Sequence, residues 1–405
     1  LTKIAIIVFD MESAGGQINL VKHLKIAFDR VGIETEPFLF RKKGKNTFDK
    51  KWGAKCLYFG DERYNELKSE MERFDVGLFI APVPHISKAN KGEDLSWTKC
   101  FDISPRIFAF IPDSYWEKYY PWMTEVMNKI EYYIPDHPIS WASMLNFPDP
   151  NLKKKMKMIY YPVDTQDASK DNKWDDSLKE DKVISTNWFK PWKHMFDLIK
   201  TIPDINYPVE VCSIGIEYWY LKNPEKKPKY YKNPDTKETW WQYALDNGME
   251  YLGWVKREKV LEMYKTGRIM IDLSQSKWWD WGNITRTICE CMVYGVVPVI
   301  RPEGTGVIDE KNAVIAHPDD NLADIVNKVM KDYDRQREIC EYNFKFVKKW
   351  FESETIGNLW KDLIEGRFKQ FHPLPPNEDW EEWKRKLKEK YYPSNQLSLD
   401  MWLDD

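Results

Sequence analysis

Between Glu250 and Ile300 the residue types fall in an order suited to holding a phosphorylated ligand. The run Ile269-Met270-Ile271-Asp272-Leu273 reads as a strand and ends at Ser274. A loop then enters a helix whose start falls near Asn283, Thr285 and Thr287. The free N–H groups and positive dipole end of a helix start suit a diphosphate. Glu290, farther into the same helix, can accept hydrogen bonds from ribose hydroxyls. Gly295 ends that helix as a left-handed glycine does. Upstream, Tyr251-Leu252-Gly253-Trp254-Val255 closes a further strand. Each residue taken singly also fits an ordinary α/β unit with a charged side chain in its helix.

Two strand-end loops in the first half carry weaker signals. Asp113 follows the strand Ile107–Ile111 through Pro112, where parallel sheets bind ligands. An Asp there can orient or deprotonate an acceptor hydroxyl, or simply cap a turn. Gly15 and Gly16 lie between the first strand and the first helix and let a ligand approach the backbone closely. His85 and the pair Asp136-His137 occupy similar loops.

The elements that must position these residues alternate. Apolar runs at 3–9, 35–40, 76–81, 107–111, 131–134 and 157–161 read as strands, with an amphipathic helix from Gln17 to Val31. A polar stretch, 164–181, separates them from a second series at 182–185, 208–213, 249–252, 268–272, 296–300 and 312–316. Strand–helix alternation implies parallel sheets covered on both faces, so an α/β fold of two Rossmann-like halves. The expected domains are 1–165, a linker 166–181, 182–345, and 346–405 as a crossing helix with a C-terminal extension. Residues 333–365 read as a long broken helix and Glu378 to Tyr391 as a final charged helix.

Composition narrows the class. With 42% hydrophobic and 31% charged residues, the 405-residue chain is globular, and no apolar run reaches a membrane span. The start is too short and wrongly flanked for a secretory signal. Six scattered cysteines and six histidines show no metal-binding spacing, so reduced thiols and no metal are expected. Net charge is −3, yet lysines cluster at 41–51, 153–157 and 222–232. Each cluster taken singly reads as a solvated loop, while three of them beside an aromatic share of 15% strengthen the case for a nucleic-acid surface.

The whole order resembles the donor half of retaining GT-B glycosyltransferases. Gly253, Val255, Ser274, Glu290, Met292, Gly295, Pro298, Val299 and Ile300 carry the likeness. That family places a second acid eight positions before the Glu; here Gly282 stands there, with Asp280 close by. It also places an Arg and a Lys on the donor diphosphate. Lys193 matches the Lys, while Trp188 stands at the Arg position and Lys190 is left to supply the second charge. From about Lys182 to Ile364 the chain further resembles bacteriophage DNA α-glucosyltransferases, which also lack the second acid. Of that family's His-Asp-His only Asp113 remains, within Pro112-Asp113-Ser114.

The resemblance implies a fold with two Rossmann-like domains facing a central cleft and C-terminal helices packing back on the first. It implies a UDP-sugar donor (UDP-glucose or UDP-arabinose), no obligatory metal, and transfer to a hydroxymethylated pyrimidine in double-stranded DNA. Asp113 would be the catalytic group. Gly15, Gly16, Lys190, Lys193, Gly253, Val255, Asn283, Thr285, Thr287 and Glu290 would bind the donor. A monomer in the cytoplasm of an infected bacterium is expected, without membrane contact. Transfer to a glycan, lipid or protein hydroxyl, and a catalytically silent nucleic-acid-binding protein, remain as alternatives.

Overall fold

The computed structural model describes residues 2–9, 15–41, 48–49, 53–58, 64–81, 96–102, 104–112, 124–145, 147–165, 176–187, 194–212, 240–253, 255–274, 285–302 and 308–374, with Glu382 and Arg385. The chain divides into two compact units, one of residues 1–164 with 350–385, the other of 165–349 with 386–405.

The first unit is built on a seven-stranded sheet in the order β3-β4-β2-β1-β5-β6-β7. Its strands are β1 (Lys3–Phe9), β2 (Glu34–Arg41), β3 (Phe48–Asp49), β4 (Ala54–Tyr58), β5 (Val76–Ile80), β6 (Ile107–Ile111) and β7 (Tyr132–Pro135). All pairs are parallel except β3 with β4. β1 is buried along nearly its whole length, as expected of a strand with helices on both faces. Helices α1 (Gly15–Arg30), α2 (Tyr64–Met71), α3 (Pro138–Ser143) and α4 (Leu152–Lys155) follow the strands they serve. The core is rich in phenylalanine: Phe79 stacks on Phe101 at 4.4 Å, and Phe9 meets Phe40 edge-on at 5.9 Å.

Residues 157–161, expected as a strand, are not one. They run extended and buried beside β7, with Lys157 N–H donating to Tyr133 O and Ile159 N–H to Pro135 O. Strands β3 and β4 were not foreseen. β4 carries Lys55, whose ammonium sits 2.8 Å from Glu36 and 2.6 Å from Glu70. In the basic stretch 153–157, Lys155 is likewise committed inside the unit, to Asp149 at 2.9 Å and Met127 O at 2.8 Å.

The second unit holds a six-stranded, wholly parallel sheet in the order β10-β9-β8-β11-β12-β13. These strands are β8 (Val183–Ser185), β9 (Val209–Cys212), β10 (Met249–Gly253), β11 (Ile269–Asp272), β12 (Val297–Ile300) and β13 (Val314–Ile315). The strand order reverses between β8 and β11, a switch point whose carboxyl ends form a ligand crevice in doubly wound sheets. The helices are α5 (Met195–Thr201), α6 (Trp240–Asp246), α7 (Arg257–Thr266), α8 (Arg286–Val293), α9 (Leu322–Lys331) and α10 (Tyr333–Trp350). Residues 176–178 form a 3-10 turn. Buried Lys179 after it donates to Tyr264 O at 2.8 Å and Gly267 O at 2.9 Å, and burial lowers its ammonium to about 8. This end of the 166–181 stretch is thus bound into the second unit.

After α10 the chain returns to the first unit as α11 (Ser353–Ile364), which packs along α1. The approach is close: a Cβ on Gly357 would lie 2.3 Å from Ala27 O. Beyond it, the Gln370 amide bonds Met158 N–H at 3.3 Å and Met158 O at 3.2 Å. His372 stacks on Tyr160 at 3.9 Å. All six cysteines are buried, and none is in a disulfide.

Candidate functional site

Asp272 ends β11 and is 1% exposed. A buried carboxylate at a strand end must be satisfied by donors. Its Oδ1 accepts Ser274 N–H at 3.0 Å and the Ser274 hydroxyl. Its Oδ2 accepts the Thr285 hydroxyl at 2.7 Å and faces the Thr287 hydroxyl at 3.4 Å. Thr285 is the N-cap of α8, and its Oγ1 accepts Ile288 N–H at 3.3 Å. One carboxylate therefore ties the end of β11 to the start of α8, next to the switch point. The helix begins at Arg286, so Thr285 and Thr287 lie at its positive end and Asn283 outside the described residues.

Glu290 is the fifth residue of α8 and only 3% exposed. Its Oε2 accepts a 2.6 Å bond from Arg257 Nη1, and its Oε1 lies 3.8 Å from Arg286 Nε. Arg257 opens α7, just beyond β10. Gly253 ends β10 at φ +69, beside a register shift between Tyr251 and Gly253. A Cβ there would meet Tyr251 only at 3.8 Å, so the backbone angle, not space, calls for glycine. Val255, half-buried, leads from Gly253 to α7. Gly295 (φ 67) follows the C-cap of α8 and turns the chain into β12.

On the β8 side, His194 precedes α5 in the left-handed region, φ 48 and ψ 30. Its Nδ1 lies 3.0 Å from Asp197 Oδ2. Burial pushes the Asp197 carboxyl up, but the His194 bond and the Arg301 charge outweigh it and hold it below the usual carboxylate value. Arg301, just after β12, donates Nη1 to Ala316 O at 3.2 Å and His317 O at 2.6 Å.

The sequence-predicted residues are thus spread as follows. Thr285, Thr287 and Glu290 share α8, with Gly253 and Val255 beside its partner Arg257. Gly15 and Gly16 open α1 in the first unit, inside the helix rather than before it. Asp113, Lys190 and Lys193 lie outside the described residues, as do His85, Trp188, Asp280 and Gly282. Sequence reasoning missed Asp272, Arg257, His194, Asp197 and Arg301. Only Asp272 left a signal, as an acid closing an otherwise apolar run.

His137, one of the weaker candidates, is the N-cap of α3, accepting Ser140 N–H at 3.1 Å on Nδ1. A cavity of about 450 Å³ in the second unit lies elsewhere, lined by Arg268, Gly295, Tyr333 and Gln336 at the amino ends of β11 and β12. Among the described residues there is no cluster of three or more metal-ligating side chains. No described helix is long and apolar enough to cross a membrane.

Comparison with known proteins places this geometry. Residues 166–346 match the family model described as Glycosyl transferases group 1. No curated protein is similar to the chain in sequence. Among solved structures, the fold is similar to Anabaena HepE in complex with UDP, with TM-score 0.65, 13% identity, and 89% of this chain and 99% of that one covered. An alpha-glucosyltransferase in complex with UDP and a 13-mer DNA containing a central A:G mismatch gives TM-score 0.66 at 12% identity, over 90% of this chain and 100% of that one. A glycosyltransferase from Rickettsia africae gives 0.61 at 12% identity, over 91% and 99%. The chain has the GT-B fold, and residues 166–346, most of its second unit, are similar to the group 1 glycosyl transferases.

Proposed function

We propose that the chain is a retaining glycosyltransferase that moves a sugar from a UDP-sugar to the hydroxymethyl group of a modified pyrimidine in duplex DNA, 5-hydroxymethylcytosine foremost. The observation that carries the donor half is Glu290. It is a buried carboxylate on the helix after β11, within the segment matched to group 1 glycosyl transferases, and it faces the cations Arg257 and Arg286. In this reading Glu290 takes the ribose hydroxyls. The start of α8, with Lys193 and Lys190, takes the diphosphate.

Those charges stabilise the leaving UDP, and the diphosphate helps accept the proton of the acceptor hydroxyl. No protein carboxylate need attack the sugar. Asp113 orients the acceptor, which is flipped from the duplex. Fold likeness to a structure holding UDP and DNA supports the acceptor half. Lys153 and Lys154, exposed on α4, suit sequence-independent phosphate contacts.

The test is to incubate the protein with hydroxymethylcytosine, hydroxymethyluracil and unmodified DNA, each with UDP-glucose or UDP-arabinose, and to weigh the digested nucleosides. A mass gain of one sugar on a hydroxymethylated base is expected. UDP release without any gain would sink the DNA acceptor and favour a glycan, lipid or protein hydroxyl. No UDP binding at all would sink the donor reading.

A further inference from the structure

The cavity of about 450 Å³ in the second unit serves neither half of the proposed reaction, yet its size falls in the ~300–1,000 Å³ range of small-molecule pockets. Arg268 directly precedes β11 and Gly295 lies just before β12, so the cavity sits at the amino ends of these strands. Asp272 and the start of α8 lie at the carboxyl end of β11. The strand itself, at about 3.3 Å per residue, keeps the two places on the order of 10 Å apart.

One wall is a face of α10. Tyr333, Gln336 and Arg337 stand three and four positions apart, which places them on one side of the helix. The Arg268 guanidinium lies 5.0 Å from the centroid of the Tyr333 ring, and Tyr333 is still 48% exposed. A 2.9 Å bond from its hydroxyl to Asp181 holds the ring in place.

The polar groups around this ring are of both kinds. Gln336 is 5% exposed, and its amide nitrogen donates to Val329 O at 2.8 Å and Met330 O at 3.0 Å. Its Oε1 has no donor among the described residues, so what fills the cavity must supply one. Asp176 accepts from Arg268 Nη1 at 2.9 Å through Oδ1, which leaves Oδ2 as a second acceptor. Arg268 Nη2 and the exposed Arg337 are the donors. Charge is balanced: Arg268 faces Asp176 and Asp181 at 2.9 and 2.8 Å, and Arg337 faces Asp334 at 4.0 Å. Nothing in the lining therefore selects an anion or a cation. A neutral ligand whose groups both donate and accept, with an apolar face for the ring, uses every one of these features.

We infer that the cavity is a saccharide subsite, separate from the donor crevice. The C–H face of a neutral sugar lies on Tyr333, and its hydroxyls donate to Gln336 Oε1 and Asp176 and accept from Arg268 and Arg337. The inference stands whatever the acceptor of the reaction is.

The test is calorimetric titration of the full chain with maltose and cellobiose. Glucose 6-phosphate and spermidine serve as charged comparisons, and adenosine as a flat neutral one. At least one disaccharide should bind with a Kd on the order of 1 mM. Tyr333→Ala should weaken it at least about tenfold and Arg337→Ala about threefold, while Tyr333→Phe, which keeps the ring, should retain most of the affinity. Binding of neither disaccharide, preference for any comparison probe, or affinity unchanged in Tyr333→Ala overturns the inference. Should Tyr333→Ala fail to fold, unchanged affinity in Arg337→Ala, at an exposed position, overturns it equally.

Discussion

Arg257 Nη1 stands 2.6 Å from Glu290 Oε2, joining the first residue of α7 to the middle of α8. The two partners are unequal. The Glu290 side chain is 4% exposed and the Arg257 side chain 44%. Arg257 is therefore the partner that water can reach if the pair is released. A ligand that offered hydroxyl donors to Glu290 would free a guanidinium at the same place.

Exchanging each partner separates ligand binding from stability. Glu290→Ala is expected to weaken UDP binding at least about tenfold, because a charged hydrogen bond is worth about 1.5–3 kcal/mol. Arg257→Ala leaves the carboxylate with Arg286 at 3.8 Å and should cost about 1–3 kcal/mol in urea unfolding. If both variants bind UDP as the wild type does, Glu290 is a structural charge and the donor site lies elsewhere.

Asp272 is expected to be a stability residue before it is anything else. Asp272→Ala strips the acceptor from the hydroxyls of Ser274 and Thr285 and should cost about 2–4 kcal/mol. Asp272→Asn, which keeps shape and one acceptor, should cost less. Thr285→Ala removes only the cap and should cost about 1 kcal/mol. Equal losses from Asp272→Ala and Thr285→Ala in denaturant melts would show that the carboxylate is not the hub of the network.

Acid should destabilise the first unit through two histidines. Burial lowers both His137 and His372 to about 3. The native rings stay neutral, while the unfolded chain binds protons below about 6.5. The unfolded state thus holds more protons, and this stability is complete above about 6.5 and lost as pH falls toward 3. Each ring contributes a slope of about 1.4 kcal/mol per pH unit within that window. His372→Phe keeps a ring against Tyr160 and should flatten the pH dependence of unfolding by that one slope; an unaltered curve would refute the assignment.

Gly357→Ala should lower the melting temperature. The added methyl meets Ala27 O at 2.3 Å, closer than any Cβ tolerates, so α11 must move away from α1. Overpacking of this kind costs about 1–3 kcal/mol. Calorimetry giving an unchanged midpoint would mean that the two helices are not held this tightly.

The sheets were legible because buried parallel strands leave near-continuous apolar runs, as in Ile4 to Phe9. β4 was hidden by Lys55, which reads as part of a basic stretch until Glu36 and Glu70 are seen beside it. Residues 157–161 misled in the other direction: burial made them apolar, but beside β7 only Tyr133 and Met156 form a bridge, and no continuous ladder follows. At the site, Glu290 stood out by its spacing from Gly295 and Pro298. Arg257 lies 33 positions away on another helix, and nothing local marks it. His194 was invisible for a different reason, since a positive φ leaves no trace when the residue is not glycine.

The return of the chain at Trp350 has a consequence for synthesis. The partner of α1 is α11, yet a ribosome delivers α11 only after residues 165–349 of the second unit. At about 5–20 residues per second, α1 waits on the order of 15–65 s with its Ala27 face uncovered. Any nascent chain halted before Ser353 therefore carries a finished second sheet beside a first sheet still open to chaperones.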